Sequence, residues 1–338
     1  MERSSRRSAR VSLTDVAVAA GVSKSAVSYA LNGNGRVAEE TRLRVREAAE
    51  RLGYRPHLPA RGVAGGRAGA LGAVLSPTRH QGETPNYYVA ELLDGVEEEA
   101  RGQGLSLRVT MWAGEVPAMS ADASVDGLLY LGGAFDPGAV ALPSLPTVLV
   151  GTSFSQVACD AVLADNRRGM YLATRHLLER GRRRPALING PATAPTSDAK
   201  WLGFRDALDQ GGLAPESFSV VNADFSADAG YLAACSLIEG GDVDGLVTGD
   251  DTIAVGALQA ARDLGVAVPE RLALVGYGDS PTAGMLRPGL SSVRVFQRDM
   301  GALAVRRLLE RLAGRTGGLV RILVGPELIV RESSGNPG

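Results

Sequence analysis

The sequence has few of the residues on which catalytic and metal-binding proteins depend. Among 338 residues there are two cysteines and three histidines, and only 5% of the chain is aromatic. Cys159 and Cys235 match no metal-ligand spacing, and a cytoplasmic protein would keep both reduced. The histidines have neither metal nor triad spacing. We therefore predict no cofactor, no metal site and no enzymatic activity.

Several longer motifs are also missing. The phosphate-binding, zinc-protease and hydrolase signatures GxGxxG, GxxxxGK[ST], HExxH and GxSxG do not occur in a functional context. No apolar run approaches the ~20 residues of a membrane helix. The N-terminal segment MERSSRRSAR is not followed by the apolar stretch of a secretory signal. These absences predict a cytoplasmic protein with no membrane partner.

The charge is unevenly distributed along the chain. Residues 1–62 contain 12 Lys+Arg and 6 Asp+Glu, a net charge of +6, whereas the remainder contains 24 and 31, a net charge of −7. A basic N-terminal segment favours contact with phosphates, and an acidic body is repelled by them. Basic tails are common, so the asymmetry gains weight only beside a DNA-binding motif.

Residues 12–32, SLTDVAVAAGVSKSAVSYALN, have the pattern of a helix-turn-helix. Ser12 and Asp15 form a capping box, Gly21 allows a tight turn, and Ser23 can cap a second helix from Lys24. The apolar positions predicted to face inward are Leu13, Val16, Ala17, Ala20, Val27 and Leu31. The second helix presents polar residues outward, as a helix entering a DNA major groove does.

A third helix is predicted from Glu39 to Leu52, with Gly53 as its stop. Leu43, Ala48 and Leu52 are expected to close the small core. The predicted organisation is a basic arm at 1–11, a helix-turn-helix headpiece at 12–55, a hinge or linker at 56–69, and a core at 70–338.

From Ala70 onward, apolar runs alternate with amphipathic helices, which predicts parallel βαβ units and an α/β core of two doubly wound subdomains. The predicted strands are Ala70–Leu75, Leu105–Thr110, Gly127–Leu131, Thr147–Val150, Pro185–Ile188, Ser219–Val221, Gly245–Val247, Leu272–Val275 and Leu290–Val295. The predicted helices are Tyr88–Gly102, Arg168–Arg180, Lys200–Gly211, Asp228–Gly240, Thr252–Leu264 and Met300–Ala313.

Long strings of this sequence resemble the lactose/galactose-repressor (LacI/GalR) family of bacterial transcription factors. The strings are SLTDVAVAAGVSKSAVSYALNG, GRVAEETRLRVREAAERLGYRP, ADNRRGMYLATRHLLERGRRRPALING and VPERLALVGYGDSPTAGMLRPGLSSVR. The resemblance covers nearly the whole chain. It implies a periplasmic-binding-protein-like core, a homodimer on a near-palindromic DNA operator, and a small-molecule effector bound between the subdomains.

The resemblance assigns DNA contacts to individual positions. Lys24, Ser25 and Tyr29 match the positions that contact base edges, and the family often has arginine where Tyr29 stands. Tyrosine cannot make the double hydrogen bond that arginine makes to guanine, so the operator should differ at that base pair. The positions matching DNA-backbone contacts are Ser12, Ser23, Ser28, Asn32, Arg36 and Thr41. Each of these serines is nearly as well explained as a helix cap.

The hinge is expected to depart from the family. Ala60 and Val63 match the positions at which paired hinge helices touch and insert a side chain into the minor groove. Pro59 and Gly62 are departures, and Gly62 costs about 1 kcal/mol of helix propensity. A plain Gly/Ala-rich linker is the alternative interpretation.

The positions matching effector contacts are Lys200, Phe225, Asp250, Asp251 and Asp279. Lys200 replaces an arginine and so offers a point charge in place of a planar fork. Asp250 replaces an asparagine, and Gly278 replaces the first of two adjacent acids. An aromatic ring such as Phe225 can stack on a sugar or a base.

The sequence leaves alternatives open for the function and predicts one departure in the fold. The core could belong to a solute-binding protein of a transport system, although such a protein has a signal peptide and no headpiece. The effector could be charged or basic, or ligand control could be lost. Finally, only fifteen residues separate Thr110 from Asp126, so the first subdomain is expected to shorten or lack one helix and to alter its dimer contact.

Overall fold

The computed structural model describes residues 13–32, 38–52, 68–76, 87–113, 119, 124–132, 145–152, 158–314 and 317–335. The chain divides into two compact units, and the boundary lies between Arg67 and Ala68. The finer predicted boundaries, the arm at 1–11 and the hinge at 56–69, fall almost entirely outside the described residues.

The first unit contains the three predicted helices, α1 Leu13–Ala20, α2 Lys24–Asn32 and α3 Glu39–Arg51. Gly21 adopts a φ of 64° and thereby makes the turn between α1 and α2, a conformation that costs glycine little. The buried apolar residues are Val16, Ala17, Ala20, Val27, Ala30, Val45, Ala48 and Ala49.

The predicted role of Leu43 in that core is wrong. Its side chain is 52% exposed, whereas Val45, two residues further along α3, is fully buried. Ala48 is buried and Leu52 is partly buried, as predicted. Residues two apart on a helix point about 200° apart, so a small error in helix phase exchanges a core position for an exposed one.

The second unit contains two six-stranded sheets among its described residues. In chain order the strands are β1 Ala70–Leu75, β2 Ser106–Met111, β3 Gly127–Leu131, β4 Thr147–Val150, β5 Asp160–Ala164, β6 Pro185–Asn189, β7 Val220–Asn222, β8 Gly245–Thr248, β9 Ala273–Gly278, β10 Ser291–Arg294, β11 Arg321–Val324 and β12 Glu327–Ile329. The helices are α4 Tyr87–Gly102, α5 Asn166–Glu179, α6 Pro195–Gln210, α7 Ala227–Glu239, α8 Asp251–Asp263, α9 Pro281–Met285 and α10 Gln297–Leu312.

The strand order shows the doubly wound topology. The first sheet runs β11-β5-β4-β3-β1-β2 with all neighbours parallel, and the second runs β12-β10-β9-β8-β6-β7 with only β12 antiparallel. Most central strands are buried on both faces, which explains why their sequences are continuous apolar runs.

The chain crosses between the two subdomains three times. The crossings lie between Ala164 and Asn166, between Arg294 and Gln297, and between Val324 and Glu327. Because of them, α5 packs on the second sheet, while α10 packs on the first sheet and against α4. Three adjacent crossings allow two subdomains to change orientation without unfolding either.

Three strands were not predicted. β11 is a short edge strand with an alternating exposed pattern, and β12 has only three residues, so neither has the apolar run of a buried strand. β5 begins with the charged residue Asp160, so its sequence lacks the uninterrupted apolar run by which a buried strand is recognised. The predicted shortening between Thr110 and Asp126 lies mostly outside the described residues.

Candidate DNA-binding face and effector cleft

The recognition helix α2 is fixed by its turn and by its buried side. Ser23 Oγ accepts a hydrogen bond from the Ala26 N–H at 3.1 Å, so Ser23 caps α2 as predicted. The N–H of Val22 donates to the Ala17 carbonyl and closes the turn at 3.1 Å. Val27 and Ala30 anchor the buried face. The remaining face of the helix is thereby held outward.

That outward face carries the three residues predicted to contact bases. Lys24, Ser25 and Tyr29 are exposed, and the Tyr29 side chain is 51% exposed although it is aromatic. The ring adds an apolar surface to a face that is otherwise polar. The headpiece can therefore present an ammonium, two hydroxyls and a ring to a groove.

The predicted backbone contacts are only partly described. Thr41 is half-buried at the start of α3, and Ser23 is exposed. Ser28 and Asn32 lie on α2, but the structure does not describe their side chains. Ser12, Arg36, Ala60 and Val63 also lie outside the described residues.

Lys200 is the central cation of the second subdomain. It is only 6% exposed, and its Nζ donates to the Gly249 carbonyl at 2.6 Å. The same nitrogen lies 4.2 Å from the ring centroid of Tyr277 and 5.8 Å from that of Phe225. Burial lowers the pKa of Lys200 to about 8, against the opposing attraction of Asp250 and Asp251.

Phe225 reaches this place because a glycine leaves room for it. A Cβ on Gly190, which follows β6, would lie 2.4 Å from the Phe225 ring. The ring is half-buried and packs on the core beneath the second sheet. Phe225, Lys200 and the carboxyl ends of β6 and β8 therefore meet at one sheet edge, where doubly wound proteins bind ligands.

Asp250 and Asp251 begin α8 but have different surroundings. Asp250 accepts from the Ile253 N–H at 2.8 Å as the helix cap, and burial raises its pKa to about 6. Asp251 is 5% exposed and accepts from Ser292 Oγ at 2.6 Å and from the Ser280 N–H at 2.7 Å. Burial also raises the pKa of Asp251.

Asp279 is held by two guanidinium groups. Its side chain is 5% exposed and lies 2.7 Å from both Arg294 and Arg331. Its backbone has a φ of 46°, which no other non-glycine residue of the described chain shares. Asp279 follows β9 at the same sheet edge, so the predicted effector residues are brought together.

Sequence reasoning missed Tyr277, Asn166 and Ser292. Tyr277 is buried and donates from its hydroxyl to Asn166 Oδ1 at 3.0 Å, and burial raises its pKa. Ser292 is fully buried and joins Asp251 to the backbone of Asp279. A signal existed for Tyr277, which lies two residues before Asp279 in the string GYGD. The serine and asparagine gave no such signal.

The described residues offer neither a metal site nor a membrane-spanning helix. In the part of the chain that the structure describes, no group of three or more His, Cys, Asp or Glu side chains is arranged to hold a metal ion. None of the described helices combines the length and apolarity that a membrane crossing requires. Cys159 and Cys235 are unpaired and half-buried.

A helix-turn-helix with an outward recognition face, followed by two doubly wound subdomains joined by three crossings, defines a DNA-binding regulator with a ligand-binding core. Residues 12–57 match the model of bacterial regulatory proteins of the lacI family, and residues 174–334 match that of the periplasmic binding protein-like domain. The chain belongs to the LacI family of bacterial transcriptional regulators.

Individual relatives can be aligned with this chain over nearly the full length of both proteins. The regulator MalR of Streptomyces coelicolor is 33% identical over 96% of this chain and 97% of its own. The repressor PurR of Edwardsiella ictaluri is 30% identical over 95% and 96% of the two chains. The structure of the regulator CelR in complex with cellobiose is 30% identical, with a TM-score of 0.70 over 96% of this chain and 100% of that one.

Family membership confirms the predicted class, a DNA-binding transcriptional regulator whose relatives include repressors. The family consists of regulators and not of enzymes. The rival interpretation as a transport solute-binding protein loses its support, because the headpiece match begins at residue 12.

Proposed function

We propose that this protein is a cytoplasmic repressor that contacts bases through Lys24, Ser25 and Tyr29. The observation that carries the proposal is the exposed face of α2 above a packed three-helix core. The six backbone-contact positions named above, and Ala60 and Val63 in the hinge, complete the proposed interface. The division into arm, headpiece, hinge and core at residues 11, 55 and 69 belongs to the same proposal.

The effector is proposed to bind at the sheet edge where Lys200, Phe225 and Asp250 meet. Phe225 supplies a ring face, Lys200 has two N–H donors besides the one given to Gly249, and Asp250 supplies a carboxylate. Such a mixture suits a small molecule with several hydroxyl or carbonyl oxygens and one apolar face. Asp251 and Asp279 line the same edge.

Effector binding would act by population shift. A ligand that prefers one relative orientation of the subdomains increases the fraction of molecules in that orientation. The shift is limited by the difference between its affinities for the two orientations. Operator affinity then follows, because a two-fold dimer contacts both half-sites only at one spacing.

The proposal is tested by selecting bound sequences from a random DNA pool with the purified full-length protein at stated salt. Enrichment of a near-palindromic consensus supports the proposed base contacts. Absence of any consensus, with and without a metabolite mixture, contradicts them.

The enriched duplex then serves as a probe for the effector. Cellobiose, ribose and a purine base, added separately, test neutral sugars and bases. A compound that changes operator affinity should lose its effect in Phe225→Ala, while operator affinity without ligand stays at the wild-type level. If Phe225→Ala responds like the wild type, the proposed pocket is wrong.

A further inference from the structure

The second chain crossing is anchored at both ends by arginine. Arg294, the last residue of β10, pairs with Asp279 in the second subdomain at 2.7 Å. Arg298, in the first turn of α10, pairs with Glu91 and Asp94 of α4 in the first subdomain at 2.7 Å each. The five residues from 294 to 298 are therefore fixed to one subdomain at one end and to the other subdomain at the other end.

Asp279 joins more than one crossing. Arg294 Nε donates to Asp279 Oδ2 at 2.8 Å, and Arg331, which follows β12, lies 2.7 Å from Oδ1. Arg294 also lies 3.7 Å from Glu327, the first residue after the third crossing. One buried carboxylate thus holds Arg294, which ends the second crossing's strand and reaches the third crossing at Glu327, and Arg331 at the far end of β12.

The same residue is connected to the effector cleft. The N–H of Asp279 donates to Ser292 Oγ at 3.0 Å, and Ser292 Oγ donates to Asp251 at 2.6 Å. Asp251 follows Asp250, the carboxylate proposed to face the effector. The contacts run without a gap from the cleft to the crossings.

The geometry of Asp279 indicates that its orientation is maintained by these contacts. Its φ of 46° is uncommon for a residue with a side chain and persists where the surroundings fix it. An open cavity of about 280 Å³ beside it is lined from both subdomains, including Tyr87, Glu91, Arg294, Gln297 and Arg298. A change of subdomain orientation would alter the shape of this cavity. The ion pairs of Asp279 with Arg294 and of Glu91 with Arg298 line it, so they would be affected by that change.

We propose that Asp279 is a positioning residue that couples the effector cleft to the second and third crossings, with Arg294 as its principal partner. Each carboxylate oxygen lies 2.7 Å from a guanidinium nitrogen, so Asp279 holds these cations in addition to lining the proposed effector edge. This inference rests on the proposed function, because its readout is operator binding.

The test is a double-mutant cycle on the full-length protein with the operator duplex obtained by selection, and it needs no effector. Asp279→Asn, Arg294→Gln and the double variant are compared by fluorescence anisotropy. Each single variant should change operator Kd in the same direction by about threefold or more, a usual size for couplings between sites. The double variant should match the single variants, since residues of one network are not additive.

Two controls separate coupling from lost stability. Arg306 lies on α10 with Arg298 but further from the crossing, and it pairs with Glu99 of α4. Arg306→Gln removes this pair and should leave operator Kd unchanged. Arg294→Lys keeps a cation beside Asp279 and should change operator Kd less than Arg294→Gln does. This comparison remains informative if Asp279→Asn does not fold.

Three outcomes overturn the inference. These are unchanged Kd values in both single variants, additive effects in the double variant, or an effect of Asp279→Asn without one of Arg294→Gln. If the wild-type protein itself binds no selected operator, the proposed function fails instead, and the two failures are distinguishable.

Discussion

The ammonium of Lys200 lies 4.2 Å from the centre of the Tyr277 ring, where its hydrogen bond to the Gly249 carbonyl holds it. A lysine ammonium is strongly hydrated, so its burial is costly unless ring faces, carbonyls and carboxylates replace the water. The aromatic face and Asp250 supply that replacement here. The cleft therefore contains a buried cation of the protein itself. Because this cation and Asp250 are buried together, the free energy of unfolding of the protein should depend on pH.

Asp250→Asn should stabilise the protein near pH 7.5 and stabilise it less near pH 5, which lies between the unfolded and folded pKa values of Asp250. Burial raises the pKa of Asp250 to about 6, so the stability linked to its proton is present below the unfolded pKa and is lost as pH rises through 6. Asparagine keeps the helix cap and has no charge to bury. We expect a gain on the order of 1–2 kcal/mol, reduced by the lost attraction to Lys200.

Urea unfolding of the full chain at the two pH values measures this effect. Asp198→Asn, an exposed acid in the first turn of α6, is the matched control and should show no such dependence on pH. Equal stability of wild type and Asp250→Asn at pH 7.5 would contradict the expectation.

Asp160→Asn should destabilise the first subdomain. The Asp160 side chain is 1% exposed and accepts from Arg307 at 2.7 Å, from Arg311 at 2.6 Å and from the Val320 N–H at 2.7 Å. Removing its charge takes the paired carboxylate from Arg311 and leaves Arg307 with Glu310 alone, and the loss of a buried pair costs up to about 3–5 kcal/mol. Unfolding in urea at pH 7 should show this loss.

The loss should disappear in acid. Burial opposes the charged form of Asp160, but hydrogen bonds from Arg311 and Arg307 outweigh it and hold its pKa well below the usual range. Stability from such a group is present above the unfolded pKa and is lost as pH falls. Glu97→Gln, which breaks an exposed pair with Arg101, is the control. It should cost at most about 1 kcal/mol both at pH 7 and in acid.

Val45→Ala and Leu43→Ala form a matched pair in the headpiece. Val45 is fully buried and its truncation should cost about 1–3 kcal/mol, whereas Leu43 is 52% exposed and its truncation should stay within about 0.5 kcal/mol. Hydrogen exchange of the α3 amides in the full chain measures the difference. Faster exchange in Leu43→Ala than in Val45→Ala would show that Leu43, and not Val45, lies on the buried face of α3.

Lys24→Ala should weaken operator binding far more than binding to random DNA. A base contact contributes to discrimination, about 1–3 kcal/mol for a good one, whereas a phosphate contact strengthens all sequences alike. Anisotropy with the selected operator and with random duplex, at the same salt, separates the two. Equal losses on both duplexes would make Lys24 a phosphate contact.

Tyr29→Arg should change the selected sequence itself. Arginine can donate two hydrogen bonds to guanine where tyrosine offers one hydroxyl and a ring. Repeating the selection with this variant should introduce a guanine at one symmetric pair of positions. An unchanged consensus would remove Tyr29 from the base contacts.

The order and type of most elements could be predicted from local sequence patterns. Capping serines, the turn glycine and apolar periodicity placed α1, α2 and α3, and buried runs such as Gly127–Leu131 coincide with strands. These signals are local: each depends on residues within a few positions, so no knowledge of packing is needed. Family resemblance then identified which loops follow the strands at the cleft.

The contacts among those loops could not be predicted from local patterns, because they join residues far apart in the sequence. Asp279 and Arg331 are fifty-two positions apart in the sequence and 2.7 Å apart in space, and nothing near either residue indicates the other. The same holds for Lys200 beneath Tyr277, and for β11, whose place is set by its partner β5 and not by its own alternating residues. Burial, ion pairing and edge pairing depend on long-range contacts, which a local pattern cannot specify.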